Sequence, residues 1–209
     1  GGIDALSGIF VPYQPLHPIS RSTWTVAYRD GEESNETTGA AQHTSASGAN
    51  GLTTIGEFGP ILSAVFSDLP QGNLAWNHWE QGTATPVAVF RFKVHKSASH
   101  YEVKFCCVSG RVFQHFSAYH GEVTIDPANG TILRLTLLTD LNKADPIIKA
   151  DLMVEYGPVE LGKLTFFCPV MSISVSVAPV QSNRSGSLIG RGTVPTISGP
   201  VQIEAQDYN

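Results

Sequence analysis

The amino-acid sequence predicts a predominantly antiparallel β domain. Charged residues make up only 15% of its 209 residues, while 20 glycines and 13 prolines supply many potential turns. Short runs of alternating apolar and polar residues recur between these turns, and this alternation is typical of half-buried strands. Because β-rich chains of this length commonly form one domain, we expect residues 1–209 to form a single β-rich domain.

The N-terminal quarter of the chain contains one predicted strand and one long polar segment. The run Ser22–Tyr28 alternates in character and follows a proline-containing loop, so we predict a strand there. Residues 30–54 are almost entirely small or polar, and such a segment gains little free energy from burial. We therefore predict a polar surface loop or hairpin tip over residues 30–54.

One short amphipathic helix is predicted over Pro60–Leu69. Pro60 follows Gly59 and suits the first position of a helix. Apolar side chains then recur at helical spacing, so we expect one face of this helix to pack on the sheet. The residues of this expected face are Ile61, Val65, Phe66 and Leu69.

The chain beyond Gly72 is predicted to be a meander of antiparallel strands joined by short turns. The clearest turn is Asp126–Gly130, where proline presets a type I turn and Asn-Gly supplies positive φ. Further turns are predicted at Gly157–Pro158 and Leu161–Lys163, and a Ser/Gly-rich segment covers residues 179–200. The predicted strands are Leu74–Gln81, Pro86–His95, Tyr101–Val108, Val112–Asp126, Thr131–Asp140, Ile147–Tyr156, Leu164–Val177 and Val201–Ala205.

Composition and charge exclude two classes of partner. The net charge is -5 and the thirteen Lys and Arg residues are scattered, so we expect no nucleic-acid binding. No run of eighteen apolar residues occurs, so we expect no membrane-spanning helix. Low charge together with abundant Ser and Thr resembles the composition of exported domains, which predicts a periplasmic or secreted location.

The sequence contains no motif that predicts catalysis. It lacks a G-x-S-x-G elbow, a P-loop and a G-x-G-x-x-G loop, so we expect neither an enzyme nor a bound cofactor. The candidate acid or base groups are Asp126, Asp140, Asp151 and Glu155. Asp126 opens a turn, where Asp is favoured for hydrogen bonds to the local backbone, so its presence has a structural reason.

Five histidines lie within the predicted meander, and imidazole is a common metal ligand. His115 and His120 are five residues apart and would point to opposite faces of one strand, while His95 and His100 bracket a polar turn. We therefore favour surface and turn histidines over a metal site. The five histidines are His78, His95, His100, His115 and His120.

Three cysteines are available for a disulfide in an oxidising compartment. We predict that Cys168 pairs with Cys107 or Cys106, on the assumption that their strands belong to one sheet. Cys107 is the better partner because it shares its strand face with Val103 and Phe105, although a β-bulge would reverse this choice.

Aromatic residues mark one apolar sheet face. This face is explained either by an ordinary core roofed by the helix or by a sheet that leaves an apolar pocket partly open. The predicted lining of such a pocket is Trp76, Phe90, Phe92, Phe105 and Phe116.

The C-terminal half contains a strand-turn-strand pattern, with a D-P-x-x-G hairpin at Asp126–Gly130 leading to Arg134. The segments Met153–Gly162 and Phe167–Val170 follow it and belong to the same pattern. This pattern resembles a family of uncharacterised exported bacterial proteins and is similar to the periplasmic lipoprotein carriers of the LolA type. The resemblance implies a strongly curved antiparallel half-barrel with a helix near its mouth, and a concave surface that holds lipid acyl groups.

These observations predict an extracytoplasmic binding module that holds an apolar ligand, such as a lipid or lipoprotein acyl chain. The alternative is a structural or protein-interaction β domain whose core is filled by its own side chains and takes no ligand. The volume of the pocket distinguishes the two.

Overall fold

The computed structural model describes residues 16, 18, 21, 23, 25–29, 32–36, 56–57, 59–108, 111–177 and 201–208, with backbone alone for several strand residues. It contains one α-helix and eleven strands within this part of the chain. They are β1 (Thr25–Arg29), β2 (Glu32–Glu36), α1 (Pro60–Asp68), β3 (Asn73–Gln81), β4 (Pro86–Val94), β5 (Glu102–Val108), β6 (Arg111–Phe116), β7 (Ala118–Ile125), β8 (Ile132–Asp140), β9 (Lys149–Leu161), β10 (Leu164–Val177) and β11 (Val201–Asp207). The mainly antiparallel β prediction is confirmed, and no described helix has the length and apolarity needed to cross a bilayer.

Seven strands form the main sheet in the order β11-β10-β9-β8-β7-β4-β3, and every neighbouring pair is antiparallel. Strands β5 and β6 form a separate hairpin, so β4 pairs with β7 instead of with the next strand along the chain. The predicted strand Val112–Asp126 is therefore two strands, interrupted at the buried residue Ser117. The prediction of an unbroken meander is wrong at this point.

Strands β1 and β2 form a second separate hairpin, which brings the predicted N-terminal strand beside the start of the polar segment. Strand β2 (Glu32–Glu36) lies within the predicted polar segment 30–54, whereas its partner β1 precedes that segment. The rest of that segment, residues 30–31 and 37–54, and the Ser/Gly-rich residues 179–200 lie outside the described residues.

Local turn chemistry is confirmed between β7 and β8. Gly130 has φ 76° and donates its backbone N–H to Asp126 O at 2.8 Å. The side chains of Asp126 and Asn129 accept hydrogen bonds from Ala128 N and Thr131 N. Each side chain thus completes a turn by bonding to the backbone two residues ahead.

Strands β9 and β10 form a long hairpin whose distal half we call the arm. The arm comprises residues 156–161 and 164–169, and Gly162 at its turn has φ 69°. The predicted turn at Gly157–Pro158 is wrong, because both residues lie within β9, where Pro158 is opposite Phe167. Strand β8 pairs with β9 only up to Glu155, and β11 pairs with β10 only from Met171, so among the described strands the two arm strands pair with each other alone.

The hydrophobic core lies on one face of the main sheet, which we call the inner face. Phe92 and Tyr119 meet edge to face with their ring centroids 6.0 Å apart. Gly121 lies opposite Phe92, and a Cβ atom there would stand 1.9 Å from Thr136 O and 2.9 Å from the Phe92 ring. The buried core is Ile61, Val65, Phe92, Val94, Ala98, Tyr119, Val123, Leu135, Leu137, Leu152 and Val154.

Helix α1 covers part of the inner face, as predicted, but its orientation differs from the expectation. Ile61, Val65 and Asp68 are buried, whereas Phe66 is 45% exposed. Successive residues of a helix are about 100° apart, so a stripe centred on Ile61, Val65 and Asp68 leaves Phe66 to one side. The prediction that Phe66 packs on the sheet is wrong. The apolar pattern did not include the polar residue Asp68, and the burial of Asp68 turns the packed face of α1 away from Phe66.

Two phenylalanines should therefore differ in their contribution to stability. Phe92→Ala removes a fully packed ring and should lower the free energy of unfolding by about 3–5 kcal/mol. Phe66→Ala is the matched control and should cost less than about 1.5 kcal/mol, since nearly half of that ring is already in water. Urea unfolding of both variants measures the difference, and equal losses would contradict the assigned orientation of α1.

Candidate binding surface

Large apolar side chains of β3 remain exposed beside the core. Leu74, Trp76 and Trp79 are 52%, 53% and 58% exposed. Leu74 is opposite Phe92 and Trp76 is opposite Phe90, so both lie on the inner face. We call Leu74, Trp76 and Trp79 the aromatic strip.

A β-bulge brings Trp79 onto the same face as Trp76. Without it, residues three apart on a strand point to opposite faces. The register between β3 and β4 shifts at Asn77, so that Trp76 pairs with Phe90 and Trp79 pairs with Ala88. Since Phe90 and Ala88 are two residues apart, both tryptophans share the inner face at the edge of the sheet.

The structure separates the five residues predicted to line one pocket. Phe92 is buried in the core, Phe90 packs against it half-buried, and Trp76 and Phe116 are exposed. Trp76 lies on edge strand β3 of the main sheet and Phe116 on the β5–β6 hairpin, while the side chain of Phe105 lies outside the described residues. Of the five, Trp76, Phe90 and Phe92 share the inner face of β3 and β4.

Two open grooves have volumes within the usual range of ligand sites. One of about 460 Å³ lies at the β5–β6 hairpin and includes Phe116 and His115 in its lining. The other, of about 450 Å³, includes Arg91, Lys93 and His120. Among its described lining residues, each groove contains one of the predicted aromatic residues, Phe116 in the first and Phe92 in the second.

A polar cluster lies at the C-terminal end of α1. The carboxyl group of Asp68, which is 0% exposed, accepts hydrogen bonds from Tyr119 Oη at 2.8 Å and His100 N at 2.9 Å. His100 Nδ1 also contacts this carboxyl group, while the His100 side chain is 68% exposed. The cluster ties α1 to β7 and to the segment before β5.

The chemistry of this cluster favours a structural role. Burial, followed by the hydrogen bond to Asp68, raises the pKa of Tyr119 above its ordinary value, so the hydroxyl remains a donor. Asp68 thereby satisfies the buried hydroxyl of Tyr119 and the partly buried N–H of His100. Sequence analysis missed Asp68 and Tyr119, although an acidic residue seven positions after Ile61 lies on the same helix stripe.

A second polar cluster faces the inner side of β10. Ser172, Ser174 and Ser176 are all buried, and Ser172 Oγ donates to Glu57 Oε1 at 3.4 Å. Burial, and secondarily the nearby Glu57, raises the pKa of Tyr156. The core is therefore apolar in its centre and polar towards the β11 edge.

The predicted disulfide is not formed, because Cys168 is a free thiol and is half-buried. The prediction assumed that the strands of Cys107 and Cys168 belong to one sheet. That assumption is wrong: β5 belongs to the separate β5–β6 hairpin, whereas β10 belongs to the main sheet. The side chains of Cys106 and Cys107 lie outside the described residues.

Among the described residues, the histidines and acidic residues singled out in the sequence do not form a metal-binding cluster. His120 Nδ1 is 3.0 Å from Asp140 Oδ1, and Asp151 Oδ1 accepts a hydrogen bond from Thr139 N at 3.0 Å. Glu155 lies opposite Arg134 on the face away from the core, which we call the outer face. Within the described part of the chain, no group of three or more His, Cys, Asp or Glu residues is arranged to hold a metal ion.

Arg134 forms a bidentate ion pair with Glu80 on the outer face. Its two terminal nitrogens donate to the two carboxylate oxygens of Glu80, at 2.5 and 3.2 Å. This hydrogen bonding lowers the pKa of Glu80. The pair joins β3 to β8, although β4 and β7 lie between them in the sheet.

No protein-family model, no curated protein and no solved structure matches the chain.

Substitution of Asp68 should test whether the Asp68 cluster fixes α1. Asp68→Asn keeps the size of the side chain but replaces an acceptor oxygen with a donor, so one buried donor loses its partner. We expect a loss of about 2–3 kcal/mol in the free energy of unfolding, measured in urea. Tyr119→Phe is the control that removes one hydroxyl and should cost about 1 kcal/mol. A loss below about 0.5 kcal/mol for Asp68→Asn would show that the cluster is not structural.

Proposed function

We propose that this protein is an extracytoplasmic binding module that holds an apolar ligand, such as a lipid or lipoprotein acyl chain, against the aromatic strip. The observation that carries the proposal is the exposure of Leu74, Trp76 and Trp79 on one face of an edge strand, beside the core. Contiguous exposed apolar residues of this size are characteristic of binding sites.

The energetics of the strip suit a flexible apolar chain. An aromatic side chain carries about 150–250 Å² of surface, so covering the exposed half of one tryptophan contributes roughly 2–3 kcal/mol. Each methylene buried by the ligand adds about 0.8 kcal/mol. These contributions must exceed an association cost of several kcal/mol, and an acyl chain with many methylenes meets that requirement.

The proposal includes a strong curvature of the main sheet, which would make it a half-barrel of the LolA type. An antiparallel sheet with one helix on its inner face is consistent with that architecture. Curvature of β3 and β4 towards α1 would turn the aromatic strip towards the mouth of the concave side. Binding would be passive, driven by burial of apolar surface, with no catalytic step and no cofactor.

A second candidate is a protein-interaction domain, and the arm favours it. Leu164, Phe166 and Phe167 are 64%, 44% and 49% exposed, and they lie on a ribbon that pairs with no other described strand. Phe166 and Phe167 point to opposite faces of this ribbon. A partner that enclosed the arm would cover both.

Titration with saturated fatty acids and phospholipids of several chain lengths distinguishes the two functions. If the strip binds an acyl chain, tryptophan emission should shift to shorter wavelength and the melting temperature should rise with ligand concentration. The double variant Leu74→Ser/Trp76→Ser should weaken binding by about tenfold or more, because it removes the apolar surface that the ligand covers.

The matched control is Leu164→Ser/Phe166→Ser on the arm, which should bind the same lipids with unchanged affinity. A wild-type protein that shows neither the emission shift nor the rise in melting temperature with any lipid would rule out lipid carriage. The interaction-domain function would then lead.

A further inference from the structure

Two cations lie side by side on the outer face of β4. Phe92 points into the core, so its neighbours Arg91 and Lys93 point outward, and both are exposed. Residues two apart on a strand are separated by roughly 7 Å. They line the groove of about 450 Å³ together with Asn73, Ala75, His120 and Asp140.

Two carboxyl groups that the sheet register and the groove lining place beside these cations each contact another residue. Glu122 lies directly opposite Arg91 on β7, but its Oε1 accepts a hydrogen bond from Asn77 Nδ2 at 2.8 Å. Asp140 Oδ1 contacts His120 Nδ1 at 3.0 Å. Among the described residues, Arg91 and Lys93 therefore have no ion-pair partner within 4.0 Å.

The bulge of β3 produces this arrangement. Asn77 is the inserted residue between Trp76 and His78, and its amide reaches across β4 to hold Glu122. A guanidinium group with a carboxylate opposite it would normally form an ion pair. Here the amide of Asn77 competes for that carboxylate, and Arg91 retains its donors for another group.

We propose that the groove is a binding site for a phosphate group. The forked donors of Arg91 match two oxygens of a phosphate, and Lys93 supplies a second positive charge beside them. The Asn73 amide and the His120 ring, whose Nδ1 contacts Asp140, add polar groups to the lining. A phosphate uses donors on several sides, whereas a carboxylate is satisfied by one arginine fork, so two adjacent cations favour phosphate.

The site lies on the face opposite the aromatic strip and does not rest on the proposed lipid function. Arg91 and Lys93 stand side by side here in a chain whose net charge is -5. The phosphate could belong to a soluble phosphomonoester or to a phospholipid head group. The chemistry of recognition is the same for both.

Isothermal titration with inorganic phosphate at low ionic strength tests the site directly. We expect saturable binding by the wild-type protein that weakens as sodium chloride is added. Arg91→Gln and Lys93→Gln should each weaken binding by about tenfold, and Arg91→Lys should weaken it less than Arg91→Gln because the charge remains. Lys163→Gln removes an exposed lysine of the arm turn and should leave phosphate binding unchanged. Urea unfolding of each variant establishes that the fold is intact.

Asn77→Ala tests whether the Asn77–Glu122 hydrogen bond is what keeps Glu122 from pairing with Arg91. Asn77 is not among the lining residues of the groove. Once released, Glu122 should pair with Arg91 and weaken phosphate binding by roughly threefold or more. A parallel titration uses phosphatidylcholine vesicles with and without phosphatidic acid. Binding to inorganic phosphate and to vesicles with phosphatidic acid indicates a general phosphate site, and binding to those vesicles alone assigns the site to a lipid head group.

The proposal is overturned if the wild-type protein binds neither inorganic phosphate nor vesicles that contain phosphatidic acid. It is equally overturned if Lys163→Gln weakens binding as much as Arg91→Gln, because the attraction would then be a general effect of charge. The aromatic-strip variant Leu74→Ser/Trp76→Ser should bind phosphate normally, so failure of the lipid function leaves this result unaffected.

Discussion

The alternation of side chains across paired strands is the constraint on which both candidate surfaces depend. Strand β4 is paired on both sides in the main sheet, so the position of Phe92 in the core also fixes Arg91 and Lys93 on the opposite face. A shift of one residue would exchange the apolar and charged sets along an entire strand. The close fit of Phe92 over Gly121 makes such a shift costly, because a side chain at position 121 would collide with the backbone of β8.

The β-bulge at Asn77 interrupts the alternation of side chains along β3 and affects both faces of that strand. On the inner face it places Trp79 beside Trp76, and on the outer face it gives the Asn77 amide access to Glu122. A single inserted residue therefore shapes an apolar surface and a cationic groove at once. Bulges near sheet edges commonly redirect side chains in this way.

Local sequence chemistry predicted those parts of the fold that depend on neighbouring residues. The turn at Asp126–Gly130 and the helix beginning at Pro60 were predictable because turn and capping preferences act within a few residues. The pairing of β4 with β7 was not, since it depends on where the β5–β6 hairpin leaves the sheet. The partners of Asp68 are 32 and 51 residues away, so they could not be predicted from the local sequence, although Asp68 lies on the buried stripe of α1.

The prolines of the arm limit edge-to-edge association of its strands with other chains. Pro158 and Pro169 lie on opposite strands of the ribbon, and neither can donate a backbone hydrogen bond to an incoming strand. Exposed apolar ribbons otherwise serve as templates on which further chains add edge to edge. Proline on each strand interrupts that templating, so the arm can keep Phe166 and Phe167 in water without becoming the seed of a fibril.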